Sequence, residues 1–175
     1  MINSKLKLEK ITNTIFRYYV AQSTSLNSVI NEKFLNYVNE ENTRKSHFFE
    51  GRHENIYISS ELISEIKTVL NFGKLCVEEI TGETPSQSGL WFNYMQPGHV
   101  TLAHSHDEAD EIYSAVYYVR VPKNSGDLII TEDNKDITIH PKEGTLVLFP
   151  PSLVHHVTVN NSKSARLSVG INIGH

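Results

Sequence analysis

The sequence predicts a mainly β protein with N-terminal helices: a double-sheet jelly roll buttressed by two helices. Two observations predict it. All six prolines lie at or after Pro85, and of the nine glycines only Gly51 and Gly73 precede residue 82. Pro and Gly mark turns, so the second half should consist of short strands and the first half should be more helical. The hydrophobic spacing changes in step, from a helical period before residue 82 to short β-branched and aromatic runs from residue 89 onward. With no repeat, no low-complexity tract and no linker, residues 1–175 read as one domain, a strand-plus-helices preface over 1–88 and a β core over 89–175.

In chain order, Ile11 to Val20 is rich in β-branched and aromatic residues and reads as a strand. Leu26, Val29, Ile30, Phe34, Tyr37 and Val38 fall at helical spacing, with Ser25 available as an N-cap. Residues 42–55 read as a loop. Leu62, Ile63, Ile66, Val69 and Leu70 form the stripe of a second helix that runs toward Gly82 as its stop. Strands are then expected at Leu90–Met95, Val100–His104, Ile112–Val121, Asp127–Thr131, Ile137–His140, Thr145–Phe149, Val154–Val159 and Arg166–Ile173, with turns at Pro97-Gly98, Ser125-Gly126, Lys142-Glu143-Gly144, Pro150-Pro151 and Asn160-Asn161.

Composition narrows the function. A net charge of −4 gives no basic face for nucleic acid. No apolar run approaches the roughly 20 residues of a membrane helix, and the N-terminus MINSKLKLEK has no apolar signal core, so a cytoplasmic location is expected. The single cysteine, Cys76, excludes an internal disulfide and a cysteine-cluster metal site.

Six of the nine histidines lie between His99 and His156. His104-Ser105-His106 ends a strand, where side chains two apart share a face. His155 and His156 occupy a later strand. Imidazoles brought together from two strands suit iron, zinc, copper or nickel. His47, His53, His99, His140 and His175 are expected on exposed loops. Arg166 and Ser168 alternate along the last strand and share a face with Asn172. If Arg166 points into the barrel it needs an anion, because an unpaired buried guanidinium is costly, and a carboxylate fits its fork. If it points out, it is an ordinary surface residue.

The ordered pieces His104-Ser-His106, Tyr117-Tyr118-Val119, Ser125-Gly126-Asp127-Leu128, Gly144 to Pro150, His155-His-Val157 and Arg166-Leu-Ser168-Val-Gly-Ile-Asn172 resemble the small 2-oxoglutarate/Fe(II)-dependent oxygenases. More distantly they are similar to the prolyl hydroxylase branch, over roughly residues 89–173. The resemblance implies a double-stranded β-helix, Fe(II) as cofactor and 2-oxoglutarate as cosubstrate. It places His104 and His155 at iron-binding positions, and Arg166 with Ser168 at the position that anchors the distal carboxylate of 2-oxoglutarate. Tyr118 matches a tyrosine that helps hold that carboxylate. His156 should face the other way, although a one-residue slip would exchange the two.

This sequence departs from the superfamily at one position. Where most members carry Asp or Glu two residues after the first histidine, it carries His106. His104, His106 and His155 form an all-histidine triad; or His106-Asp107-Glu108 is the His-x-carboxylate motif displaced by two; or Glu111 joins the three histidines. The favoured set is His104, His106 and His155. The spacing from Gly98 through His104, His106 and Glu111, and from Gly144 through Pro150 to His155, also resembles the two cupin motifs, but cupins lack the Arg-x-Ser strand and the preface helices. The resemblance therefore implies hydroxylation of a small molecule, amino acid or peptide with release of succinate and CO2. The alternatives are a cupin-type dioxygenase or isomerase and a non-catalytic binding barrel. A homodimer is one option for the oligomeric state. The segments 42–55 and 105–111 are expected at the barrel mouth, where they would set the substrate, and Trp91, Asn93 and Tyr94 are candidates to line the pocket.

Overall fold

The computed structural model describes residues 6–40, 43–106 and 110–175. In chain order its elements are β1 (Leu8–Lys10), β2 (Phe16–Tyr19), α1 (Ser23–Tyr37), β3 (Arg44–Phe49), β4 (Arg52–Tyr57), α2 (Ile66–Thr81), β5 (Gln87–Met95), β6 (Thr101–His104), β7 (Glu111–Arg120), β8 (Leu128–Glu132), β9 (Lys135–Ile139), β10 (Thr145–Phe149), β11 (His155–Val157) and β12 (Arg166–Gly174). Among the described residues these strands form two antiparallel sheets. The larger has the order β1-β2-β10-β7-β12-β5-β4-β3 and the smaller β6-β11-β8-β9. This is a jelly-roll arrangement with helices on one side. No described helix is long and apolar enough to cross a membrane.

Strand alternation divides the interior into two compartments. On β12, Leu167, Val169, Ile171 and Ile173 are fully buried in an apolar cluster with Ile30 and Phe34 of α1 and with Ile66, Val69 and Val77 of α2. Each such side chain contributes about 1.5–3 kcal/mol of burial. The alternate residues, Arg166, Ser168, Gly170 and Asn172, fall on the opposite face, toward the small sheet. There Tyr118, Val147 and Phe149 of the large sheet meet Leu128, Ile130 and Ile139 of the small one. The central strand of the large sheet therefore carries an aliphatic face to the helices and a polar face into the barrel.

The eight expected core strands are all present, Thr145–Phe149 with its expected bounds and the others with shifted ends. Gly82 caps α2 in the left-handed region, at φ 76°, and its N–H bonds the Glu78 carbonyl. Helix α2 starts later than its apolar stripe, because Leu62 and Ile63 lie in the preceding turn, bonded to the Ser59 carbonyl.

Three local expectations are corrected. The loop expected over 42–55 is, over the described residues 43–55, largely a hairpin: Glu50 and Gly51 both adopt positive φ, at 47° and 78°, which is a two-residue turn matched to strand twist. Ser25 lies inside α1 and donates to the Gln22 carbonyl; Gln22 is the cap, without a side-chain bond. The first strand is broken because Thr12 Oγ1 accepts the N–H groups of Thr14 and Ile15, turning the chain between β1 and β2.

Candidate active site

Strands β6 and β11 pair so that His104 stands opposite His155. His106 lies two residues past His104, held by its backbone N–H donating to the Pro151 carbonyl at 2.8 Å. Ring centroids are 4.4 Å apart for His104 and His155, 4.9 Å for His104 and His106, and 5.1 Å for His106 and His155. One ring nitrogen from each lies within 4.8 Å of the others. His156, the next residue on β11, is not part of this group.

Hydrogen bonds orient two of the rings. Nδ1 of His104 lies 2.7 Å from the Leu102 carbonyl, and Nδ1 of His155 lies 3.0 Å from that of Leu153. A carbonyl only accepts, so each Nδ1 carries a proton and each Nε2 is the nitrogen left to face a metal. Burial, aided by the neighbouring His104, lowers His106 to about 4. His155 is lowered to about 3, again chiefly by burial. Both rings are therefore neutral at neutral pH, which is the form that binds a metal. Three imidazoles whose ring nitrogens converge fit a first-row divalent ion such as iron(II).

Arg166 lies deeper and is fully buried. Its Nη1 donates to the Gly126 carbonyl at 2.8 Å, and its guanidinium sits 5.1 Å from the centroid of the Tyr118 ring. Among the described residues, no carboxylate lies within ion-pair distance of it. Its Nε and the Ser114 Oγ are buried without hydrogen-bond partners. Ser168, also buried, stands opposite Tyr118. Burial lowers the Arg166 pKa, with the nearby Tyr118 and Asp127 opposing. A charge held at that desolvation cost, next to unpartnered polar atoms, is a seat for an anion. A void of about 50 Å³, lined by His104, His106, His155, Ser114, Arg166 and Ser168 among others, joins the imidazoles to the guanidinium. Above it opens a cavity of about 470 Å³ that shares Trp91, Asn93, Thr101, His104 and His106.

Most sequence-stated candidates thus fall on one axis: three imidazoles at the mouth, then Ser168, Tyr118 and Arg166 beneath. Glu111 lines the upper cavity and accepts a hydrogen bond from Asn172, and it stands outside the imidazole group. Asp107 and Glu108 lie outside the described residues. Trp91 and Asn93 line the cavity, whereas Tyr94 packs against Phe34 in the outer core, with ring centroids 5.2 Å apart. His47 is not on a plain loop; it sits on β3 and lines the cavity. Sequence reasoning missed Ser114 and the role of Gly170. A Cβ at Gly170 would land inside the Trp91 indole, whose ring lies 5.2 Å from that of His106. A glycine in mid-strand was the available signal.

The family model described as "Putative 2OG-Fe(II) oxygenase" matches residues 131–172, a span holding His155, Arg166 and Ser168 but not His104 or His106. The fold is similar to a prolyl-4-hydroxylase from Pseudomonas putida, at 16% identity over 94% of both chains and a TM-score of 0.74. The likeness to this hydroxylase is one of fold. The fold is also similar to a Trichoplax adhaerens prolyl hydroxylase in complex with a hypoxia inducible factor peptide fragment, at 15% identity over 93% of this chain and 84% of that one, with a TM-score of 0.72. A third likeness is to SnoK, an alpha ketoglutarate dependent carbocyclase from nogalamycin biosynthesis, at 15% identity over 92% and 79%, with a TM-score of 0.67. No curated protein matches the sequence.

Proposed function

We propose that this protein is a 2-oxoglutarate/Fe(II)-dependent oxygenase that hydroxylates a small molecule, an amino acid or a peptide, with His104, His106 and His155 as the iron ligands and Arg166, Ser168 and Tyr118 as the seat of 2-oxoglutarate's distal carboxylate. One observation carries the reading: convergent imidazoles and a fully buried guanidinium occupy the two ends of one narrow space. The chemistry supplied by bound iron(II) and 2-oxoglutarate is oxidative decarboxylation to succinate and CO2, coupled to hydroxylation of the substrate.

The chain's own groups do the positioning. The Leu102 and Leu153 carbonyls fix the His104 and His155 tautomers. The Arg166 fork suits a carboxylate, and the Ser168 hydroxyl can donate to it. Val116, Leu128, Phe149 and Val157 line the narrow space and exclude water. We further read residues 1–175 as one domain, supported by the packing of both helices on the sheet that carries Arg166. We read its setting as cytosolic, without nucleic acid or membrane, as monomer or homodimer; the net charge of −4 supports the lack of a nucleic-acid partner.

The test is succinate formation from 2-oxoglutarate with iron(II) and oxygen, which in Arg166→Ala should need about 10–100-fold more 2-oxoglutarate. A second reading has one observation in its favour. The donor set is all imidazole, with Glu111 lining the cavity nearby, as in a cupin-type metalloenzyme. That reading predicts metal-dependent turnover without succinate and without dependence on Arg166.

A further inference from the structure

Of the three convergent imidazoles, His106 is held differently from its neighbours. The rings of His104 and His155 each have a backbone carbonyl at Nδ1. Among the described residues the His106 ring makes no hydrogen bond. Its backbone N–H is pinned by the Pro151 carbonyl, yet its ring lines the open cavity as well as the narrow space below. Hydrogen bonding alone would let that ring swing outward. The aromatic ring that meets it from outside the imidazole group is that of Trp91, at 5.2 Å between centroids and 48° between planes.

Trp91 is the sole tryptophan of the chain. Strand alternation on β5 sends Leu90, Phe92 and Tyr94 to the outer core and Trp91 to the barrel side, directly opposite Gly170 of β12. Ser168 and Asn172, the neighbours of Gly170 on that face, carry side chains. The backbone does not demand a glycine between them, because Gly170 is not among the glycines at positive φ. The indole does: a Cβ at this position would overlap its Cε2, Cζ2 and Nε1 atoms. The ring therefore rests on bare backbone, and a cross-strand pair of this kind fixes it from beneath.

We propose that Trp91 is the positioning residue of the third imidazole: seated on Gly170, its indole takes the place of the carbonyl contact that His106 lacks and holds that ring toward the other two. The proposal rests on the reading of His104, His106 and His155 as a metal centre and names what organises it. Packing serves here because a ligand ring has to be kept within about 0.5 Å and 10–20° of its productive position. A ring with neither a hydrogen bond nor a packed neighbour gives up rotational freedom on binding a metal, and the affinity falls accordingly.

Cobalt(II), a first-row ion for the same nitrogen donors, is titrated calorimetrically into the full chain freed of metal. No substrate is present, so a residue that merely walls the substrate cavity would not register. Trp91→Leu should weaken cobalt(II) by about 10–100-fold, the usual cost of losing a ligand's orienting partner, and its ligand-field absorption should move toward that of His106→Ala. Within a His106→Ala background the same substitution should change the affinity by no more than about two-fold. Should Trp91→Leu fail to fold, Gly170→Ala, which keeps the indole but displaces it, carries the same expectations. Wild-type affinity or wild-type bands in the variant, or an equal loss with and without the His106 ring, overturns the proposal; the equal loss is what a purely structural role would give. The two readings fail distinguishably. A wild-type protein that binds no cobalt(II) contradicts the metal reading and removes this proposal with it, whereas wild-type binding indifferent to Trp91 overturns this proposal alone.

Discussion

His155 stands directly opposite His104 across β6 and β11, and their rings approach to 4.4 Å between centroids. This pairing decides which of the two adjacent histidines serves the candidate metal centre, because His156 falls on the alternate side of its strand. His155→Ala should weaken iron(II) binding well beyond the about 10–100-fold that loss of a ligand's hydrogen-bond partner costs. His156→Ala should bind close to wild type. Anaerobic titration calorimetry separates the two, and equal losses would show that the strand is out of the register seen here.

Arg166→Ala should weaken 2-oxoglutarate by about 10–100-fold, the worth of a charge-assisted hydrogen bond of about 1.5–3 kcal/mol, while metal affinity stays near wild type. Ser168→Ala, which removes one neutral donor, should cost about 1 kcal/mol, or roughly five-fold. Equilibrium binding of 2-oxoglutarate to the metal-loaded variants measures both. The ordering is the informative part, since general misfolding would depress metal and cosubstrate binding together.

Gly170→Ala puts a methyl group where the Trp91 indole lies. The strand is central and buried on both faces, so the ring has to move. Overpacking of this kind costs about 1–3 kcal/mol. Urea unfolding should show that loss, and the fluorescence of this single tryptophan should shift with it. A variant of unchanged stability and unchanged emission would mean that the indole is not seated on Gly170.

Stability should fall in alkali. Burial raises the Cys76 thiol above its ordinary 9.0 and the hydroxyls of Tyr18, Tyr117 and Tyr118 above their ordinary 10.0. The unfolded chain releases these protons first, so their contribution is complete below about pH 9 and is lost as pH rises further. Urea midpoints at about pH 8 and about pH 10.5 should differ in that direction. Tyr18→Phe should flatten the difference, because it removes one of the groups whose proton the fold retains.

The β core was legible because its strands carry their own punctuation. Thr145–Phe149 is bounded by Gly144 and Pro150, and Arg166–Gly174 alternates aliphatic with small or polar residues. The hairpin of β3 and β4 was not, since β3 exposes residues on both faces and shows no apolar alternation; its signal was confined to the Glu50-Gly51 turn. The histidines could be found from spacing, and Arg166 from its alternation with Ser168. Which imidazole of the 155–156 pair converges on the others is a matter of strand register, settled by pairing with β6 rather than by local composition. Glu54 and Asn93 drew no notice as a pair because they lie on separate strands and meet only in the folded cavity.

The central claim is that one bound dicarboxylate spans the imidazoles and Arg166. Anaerobic addition of iron(II) and then 2-oxoglutarate, followed by visible absorption, tests it most directly. The account predicts a metal-to-ligand charge-transfer band in the wild-type protein and in His156→Ala, absent in His155→Ala, and in Arg166→Ala appearing only at about 10–100-fold higher 2-oxoglutarate. A wild-type protein that binds iron(II) yet develops no band, or a band whose 2-oxoglutarate dependence is the same in Arg166→Ala, would contradict it.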